Sequence, residues 1–142
     1  MQAPQFIRRE DWPERLAGQV ASAQAVPYQL GTHDCWRMVC ACIDAMTGVD
    51  LWPRFAGYTS KAQALRTIAR IAPTLRQAVT VVLGVPPQPP SLARRGDVLL
   101  YQDAEGEHLG MCLGSVGVVL GPTGLVYQRL DHAGFRCGWR VG

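Results

Sequence analysis

The sequence predicts an α+β fold in one domain, with helices in its first part and an antiparallel sheet in its second. Three observations carry this expectation. Apolar residues recur at helical spacing as far as Pro86, and short β-branched runs punctuated by glycine replace them beyond it. The chain has 142 residues, 48% of them apolar and 18% charged, which is enough for a core and excludes a disordered chain. The proline-rich connector over residues 86–90 is too short to separate two independent domains. The helical part, about 10–85, and the β part, about 95–142, therefore belong to a single unit spanning 1–142.

Asp11 is placed to cap a first helix running to about Gln24, with Pro13 tolerated in its first turn. Pro27 and Gly31 then break the chain. A second helix follows His33-Asp34, carries Val39, Cys42, Ile43 and Met46 at i, i+3, i+4 and i+7, and stops at Gly48. Ser60 caps a third helix through about Ile71, and Pro73 allows a fourth that ends near Gly84. Strands are predicted over 96–102, 108–113, 116–120, 125–130 and 138–141, with turns at 103–107 and 122–124, in the order of a meander. Trp12, Trp52 and Trp139 are expected as core or interface anchors.

Composition excludes several classes of function. A net charge of +3, with the basic residues scattered, does not describe a nucleic-acid binder. The longest apolar run, around 79–85, is far short of the roughly 20 residues of a membrane span. Arg8, Arg9 and Glu10 stand where a secretory signal would need an apolar stretch, so a protein made in the cytoplasm is expected. Cysteines at 35, 40, 42, 112 and 137 are odd in number, which rules out complete intramolecular pairing and leaves reduced thiols as the default.

The chemistry converges on Cys35. With Asp34 as N-cap, this thiol lies in the first turn of a helix, where unpaired N–H groups and the helix dipole favour an anion. The adjacent Asp34 carboxylate opposes that, and a histidine beside the sulfur would tip the balance. His33, His108 and His132 are the three candidates. His108 opens a strand directly after a polar turn, where a rigid sheet can hold a general base in fixed orientation. His33, Cys35, Cys40 and Cys42 match no zinc or iron–sulfur spacing, so no metal or other cofactor is expected. Arg95-Gly96-Asp97 spells an adhesion tripeptide but opens a strand and reads as coincidence. The other four cysteines are expected to pack.

Three blocks carry a family resemblance. Tyr28-Gln29-Leu30-Gly31-Thr32-His33-Asp34-Cys35 resembles the Tyr-x-Trp-Gly…Asp-Cys block of the NlpC-type cell-wall peptidases, a papain-like cysteine peptidase family. Arg95-Gly96-Asp97-Val98-Leu99-Leu100-Tyr101 resembles that family's Pro-Gly-Asp-Leu-Val-Phe-Phe strand. His108-Leu109-Gly110-Met111-Cys112-Leu113-Gly114 resembles its His-Val-Gly-Ile-Tyr-Leu-Gly strand. The blocks occur in family order over about residues 26–120. The whole chain, with Thr47-Gly48-Val49-Asp50 and Trp139, is similar to a group of small proteins encoded among phage tail genes.

The resemblance implies a papain-like fold, helices packed on an antiparallel sheet or partly open barrel. It implies Cys35 as nucleophile, His108 as base, and Tyr28, Asp34 and Trp36 on the substrate side. The bond cut would be an amide of a peptidoglycan stem peptide. Trp36-Arg37 stand where the family has Ser-Gly, and Leu120 occupies the position of its third polar residue; Gln128 is the candidate replacement. Two functions follow. One is a cysteine amidase or endopeptidase that opens the cell wall from a phage tail tip. The other is a catalytically inactive structural component or assembly factor of that tail tip. Both expect tail-tip or baseplate proteins as partners and a virion location after synthesis in the host cytoplasm.

Overall fold

The computed structural model describes residues 5–142. Four α-helices precede the sheet: α1 (Trp12–Ala23), α2 (Cys35–Thr47), α3 (Lys61–Ala69) and α4 (Leu75–Leu83). One-turn 3-10 helices, η1 (Trp52–Arg54) and η2 (Pro90–Leu92), lie in the connections. The strands β1 (Val98–Asp103), β2 (Gly106–Cys112), β3 (Val116–Gly121), β4 (Gly124–Arg129) and β5 (Phe135–Trp139) form an open antiparallel sheet in the order β4-β3-β2-β1-β5. The α+β expectation therefore holds.

The helix ends follow from capping chemistry, with one correction. Asp34, Ser60 and Thr74 accept from the backbone N–H three residues on, and Gly48 closes α2 in the left-handed conformation at φ 77°. Asp11 makes no cap bond; its carboxylate takes the Arg15 guanidinium at 2.9 Å instead. The last strand is also corrected. It begins three residues earlier than expected and lies beside β1, so the sheet is not a simple meander. Local pattern reports that a strand exists; its neighbour is decided by distant residues.

A bulge at Arg136 sets what β5 contributes. Leu100 pairs with Cys137 and Tyr101 with Phe135, which leaves one extra residue on β5 and reverses the side-chain alternation there. Phe135 joins Leu99, Tyr101, Cys112 and Val119 on the rear face of the sheet. Cys137 and Trp139 join Val98, Leu100, Leu109 and Met111 on the front face, against the helices. Trp139 also donates its indole N–H to Thr80 of α4 at 3.0 Å.

The link from β4 to β5 shows that the sheet is curled. Six residue steps separate Arg129 from Phe135, a reach of about 21 Å. On a flat sheet those positions would be four strand spacings apart, roughly 19 Å, and about 16 Å apart along the strands. Only a twisted and coiled sheet brings them within reach, with the 130–134 segment passing over the rear face. His132 in that segment stacks against Tyr101 at a centroid distance of 5.6 Å.

Asp34 and Asp97 are the two buried charged residues among those described. Asp97 takes the Arg8 guanidinium at 3.2 Å and the backbone N–H groups of Arg94 and Val141 at 2.9 and 3.3 Å. Arg8 donates further to the carbonyls of Val141 and Arg95. In Arg95-Gly96-Asp97 the arginine is exposed while the Asp97 carboxylate is buried, where it ties residue 8 to the segment after β5. Both sheet edges meet backbone from elsewhere. Gln88 exchanges two 2.8 Å hydrogen bonds with Gly138 of β5, whereas β4 receives one such bond at its start, from Leu125 N–H to the Gln24 carbonyl at 3.2 Å.

Candidate functional site

The loop before α2 is folded onto its own cap. One Asp34 oxygen accepts the Arg37 N–H at 2.9 Å; the other accepts the Gly31 N–H at 2.9 Å and the Tyr58 hydroxyl. Gly31 has φ 82°, and a Cβ there would stand 2.6 Å from the Tyr58 carbonyl oxygen, so both conformation and contact require glycine. Asp34, expected on the substrate side, has its oxygens committed to three donors inside the fold. It is a framework residue that fixes where Cys35 stands.

Cys35 lies at the floor of a cleft of ≈ 620 Å³. Its lining includes Lys61, Leu65 and Ile68 of α3, Leu75 of α4, Glu105 of the β1–β2 turn and Glu107 of β2. Tyr28, Trp36 and Tyr58 also line it. The structure therefore brings Cys35, Tyr28, Asp34 and Trp36 together, as the sequence predicts. Tyr28 is 48% exposed and presents its ring at the cleft mouth. Trp36 is mostly buried, stacked on Phe55 with centroids 4.4 Å apart, and its indole N–H has no acceptor.

The electrostatics hold the thiol neutral. Burial pushes Cys35 up to about 11, and the neighbouring Asp34 charge adds to this; the Leu109 backbone amide, and those of Trp36 and Cys35 itself, offset only part of it. Tyr58 is raised well above the usual phenol range by burial and by its bond to Asp34. Burial, with the Asp34 and Cys35 charges, raises Tyr28 in the same direction. These shifts describe a site that disfavours negative charge.

His108 is not in this site. Leu109 is fully buried among the front-face residues and contributes its amide to Cys35, so the alternation of β2 sends His108 to the other side. The register agrees: His108 stands opposite Tyr101, a rear-face residue. Its Nε2 meets Asp103 Oδ1 at 2.8 Å, and the same oxygen accepts the Glu105 N–H at 2.8 Å, so the imidazole braces the β1–β2 turn. The expected Cys35–His108 pairing is corrected accordingly. Gln128 does not rescue it. It pairs with Gly117, which pairs with Cys112, so Gln128 lies two strands from β2 and roughly 13 Å along it from His108. Leu120, by contrast, is buried among the front-face residues.

His33 and His132 are also apart from the thiol. His33 lines a separate polar hollow between α1 and α2, with Arg37 and Asp44; the Nδ1 of His132 accepts the Gly134 N–H. Cys40 and Cys42 are buried and pushed up to about 12 by desolvation. Among the described residues no three His, Cys, Asp or Glu side chains converge as metal ligands, and no helix is long and apolar enough to cross a membrane. Sequence reasoning missed Tyr58, Glu105 and Glu107. Tyr58 carries no local signal, since its importance comes from Asp34, 24 residues away.

Fold and site together define a small α+β domain with a neutral cysteine at the floor of a largely apolar cleft. Residues 7–141 match the family described as a domain of unknown function (DUF6950), and the chain belongs to that family. No curated protein matches it.

Proposed function

We propose that this chain is a papain-like domain of a phage tail tip whose cleft binds a partner without hydrolysing it. It is then a structural component or assembly factor of the virion, made in the host cytoplasm. The parity of β2 carries this reading. Thiol catalysis needs a base within hydrogen-bond reach, about 3 Å, and the histidine that the resemblance supplies faces the opposite side of the sheet. Burial, which pushes the Cys35 thiol up to about 11, keeps it overwhelmingly protonated at neutral pH. Support for the papain-like assignment comes from a cysteine in the first helical turn, packed against the second strand of an antiparallel sheet. Support for the tail comes from the sequence blocks over 26–120 and their similarity to proteins encoded among tail genes.

The second reading is a cysteine amidase or endopeptidase acting on peptidoglycan stem peptides. Tyr28 beside Cys35 in one cleft favours it. Mass spectrometry of a stem tetrapeptide incubated with the pure protein separates the two. Neither wild type nor Cys35→Ala is expected to cleave it; cleavage by wild type that vanishes in Cys35→Ala overturns the binding reading. Alkylation of Cys35 by iodoacetamide supplies the chemical reason. Its rate is expected to climb only as pH approaches about 11, with the same profile in His108→Ala. A midpoint near 8 that rises in His108→Ala contradicts the geometry.

A further inference from the structure

Strand β4 ends the sheet, and three hydrogen bonds fix which of its residues point outward. The Leu125 N–H leaves the ladder for the Gln24 carbonyl at 3.2 Å. The Val116 carbonyl, on the residue opposite Arg129, turns away from β4 to the Leu113 N–H, and the Leu130 N–H turns inward to Ser115. By the alternation of an antiparallel ladder, residues 125, 127 and 129 therefore direct N–H and C=O away from β3. Gln24 already stands across Leu125. Among the described residues no bond from outside the ladder reaches Tyr127 or the Arg129 N–H, and the Arg129 carbonyl holds only the His132 N–H at 2.9 Å. Val126, Tyr127 and Arg129 are exposed, and no proline interrupts this stretch. An edge in this state is a template for another strand.

We infer that β4 pairs with β4 of a second copy of this chain, antiparallel about a two-fold axis at Gln128. The register follows from what is free. An axis at Tyr127 would set Arg129 of the second copy where Gln24 stands across Leu125. An axis at Gln128 sets Tyr127 of each copy opposite Arg129 of the other, and the chain turns away after Leu130, before it reaches Gln24. Tyr127 and Arg129 then exchange both N–H···O bonds on each side of the axis, with the Arg129 carbonyl accepting its second hydrogen bond.

The side chains match in the same register. Tyr127 and Arg129 share the front face, so the guanidinium of one copy meets the ring of the other, which Gln24 holds through the Tyr127 hydroxyl at 2.6 Å. On the rear face Val126 meets Leu130, and Gln128 meets its own copy. Arg129 keeps Asp131 at 3.0 Å, and no like charges stand opposite one another. A contact this short falls below the about 1,200 Å² of a stable interface, so the dissociation constant is expected on the order of 0.1 mM.

Sedimentation equilibrium from about 10 μM to about 1 mM tests this, with wild type expected to approach twice the chain mass at the top of the range. Tyr127→Pro deletes an outward N–H and no rung to β3, and an edge strand tolerates proline there. It is expected to weaken association at least about tenfold, with circular dichroism checking the fold. Because Gln128 meets itself across the axis, Gln128→Lys and Gln128→Glu should each associate more weakly than wild type. Their equimolar mixture should associate more tightly than either alone, with the gain falling as salt rises. That mixture decides the matter even where Tyr127→Pro fails to fold. Wild type that stays monomeric at about 1 mM overturns the proposal and leaves the edge to a strand of another protein. Undiminished association of folded Tyr127→Pro, or a mixture no tighter than its components, overturns it as well and places the contact elsewhere.

Discussion

Strand β2 meets two different environments. On its front, Glu107, Leu109 and Met111 point toward the helices: Leu109 and Met111 are fully buried and Glu107 reaches the cleft lip. On its rear, His108 braces a turn through Asp103, and Cys112 packs with Tyr101 and Phe135. The thiol of Cys35 sees the front alone. What the comparison teaches is that a histidine in the right place along a strand is not enough, because a shift of one residue moves it across the sheet. A motif match by residue type does not report that parity.

Substitutions on the two faces should separate by size. Leu109→Ala removes a fully buried side chain from the front and is expected to lower unfolding stability by about 2–5 kcal/mol in denaturant melts. A loss under about 1 kcal/mol would mean that the front of β2 is not the core it resembles. Glu107→His puts an imidazole on the front face of β2, in the cleft that Cys35 lines, and is expected to lower the midpoint of Cys35 alkylation. An unchanged midpoint would place position 107 out of reach of the sulfur. His108→Ala, on the rear, is expected to cost at most about 1 kcal/mol, since its hydrogen bond with Asp103 is partly exposed to solvent. A larger loss, or a shifted Cys35 midpoint, would break the separation of the faces.

The helices and four of the five strands were legible because their signals are local. Ser60, Gly48 and the i, i+3, i+4, i+7 stripe of α2 act within one or two turns. Phe135 and Trp139 pair with β1 across a crossing that no local pattern encodes, and the bulge at Arg136 disguises the alternation that would have marked the strand. The cleft was legible in part. Cys35 was found from its place in the first helical turn and Tyr28 through a motif, and both line the cleft; Trp36, which departs from the motif, lines it too. Asp34 was found, but its role was misjudged because its third donor, Tyr58, is far away in sequence. The orientation of His108 was hidden for a specific reason. Both faces of β2 are covered over its second half, so Leu109, Gly110, Met111 and Cys112 form an unbroken buried run, and a strand buried on both sides shows no alternation to count from.

The unequal treatment of the two outermost strands bears on how copies of this domain can associate. An open-ended stack built by adding strand to strand needs a free edge at both ends of every sheet. Among the described residues Gln88 holds Gly138 of β5 with a reciprocal pair of bonds, while β4 makes one such bond, at its start. Strand addition at β5 has to displace that pair, whereas a second copy meets less resistance along β4. Pairing through β4 gives a closed two-fold, which favours a pair over a growing stack.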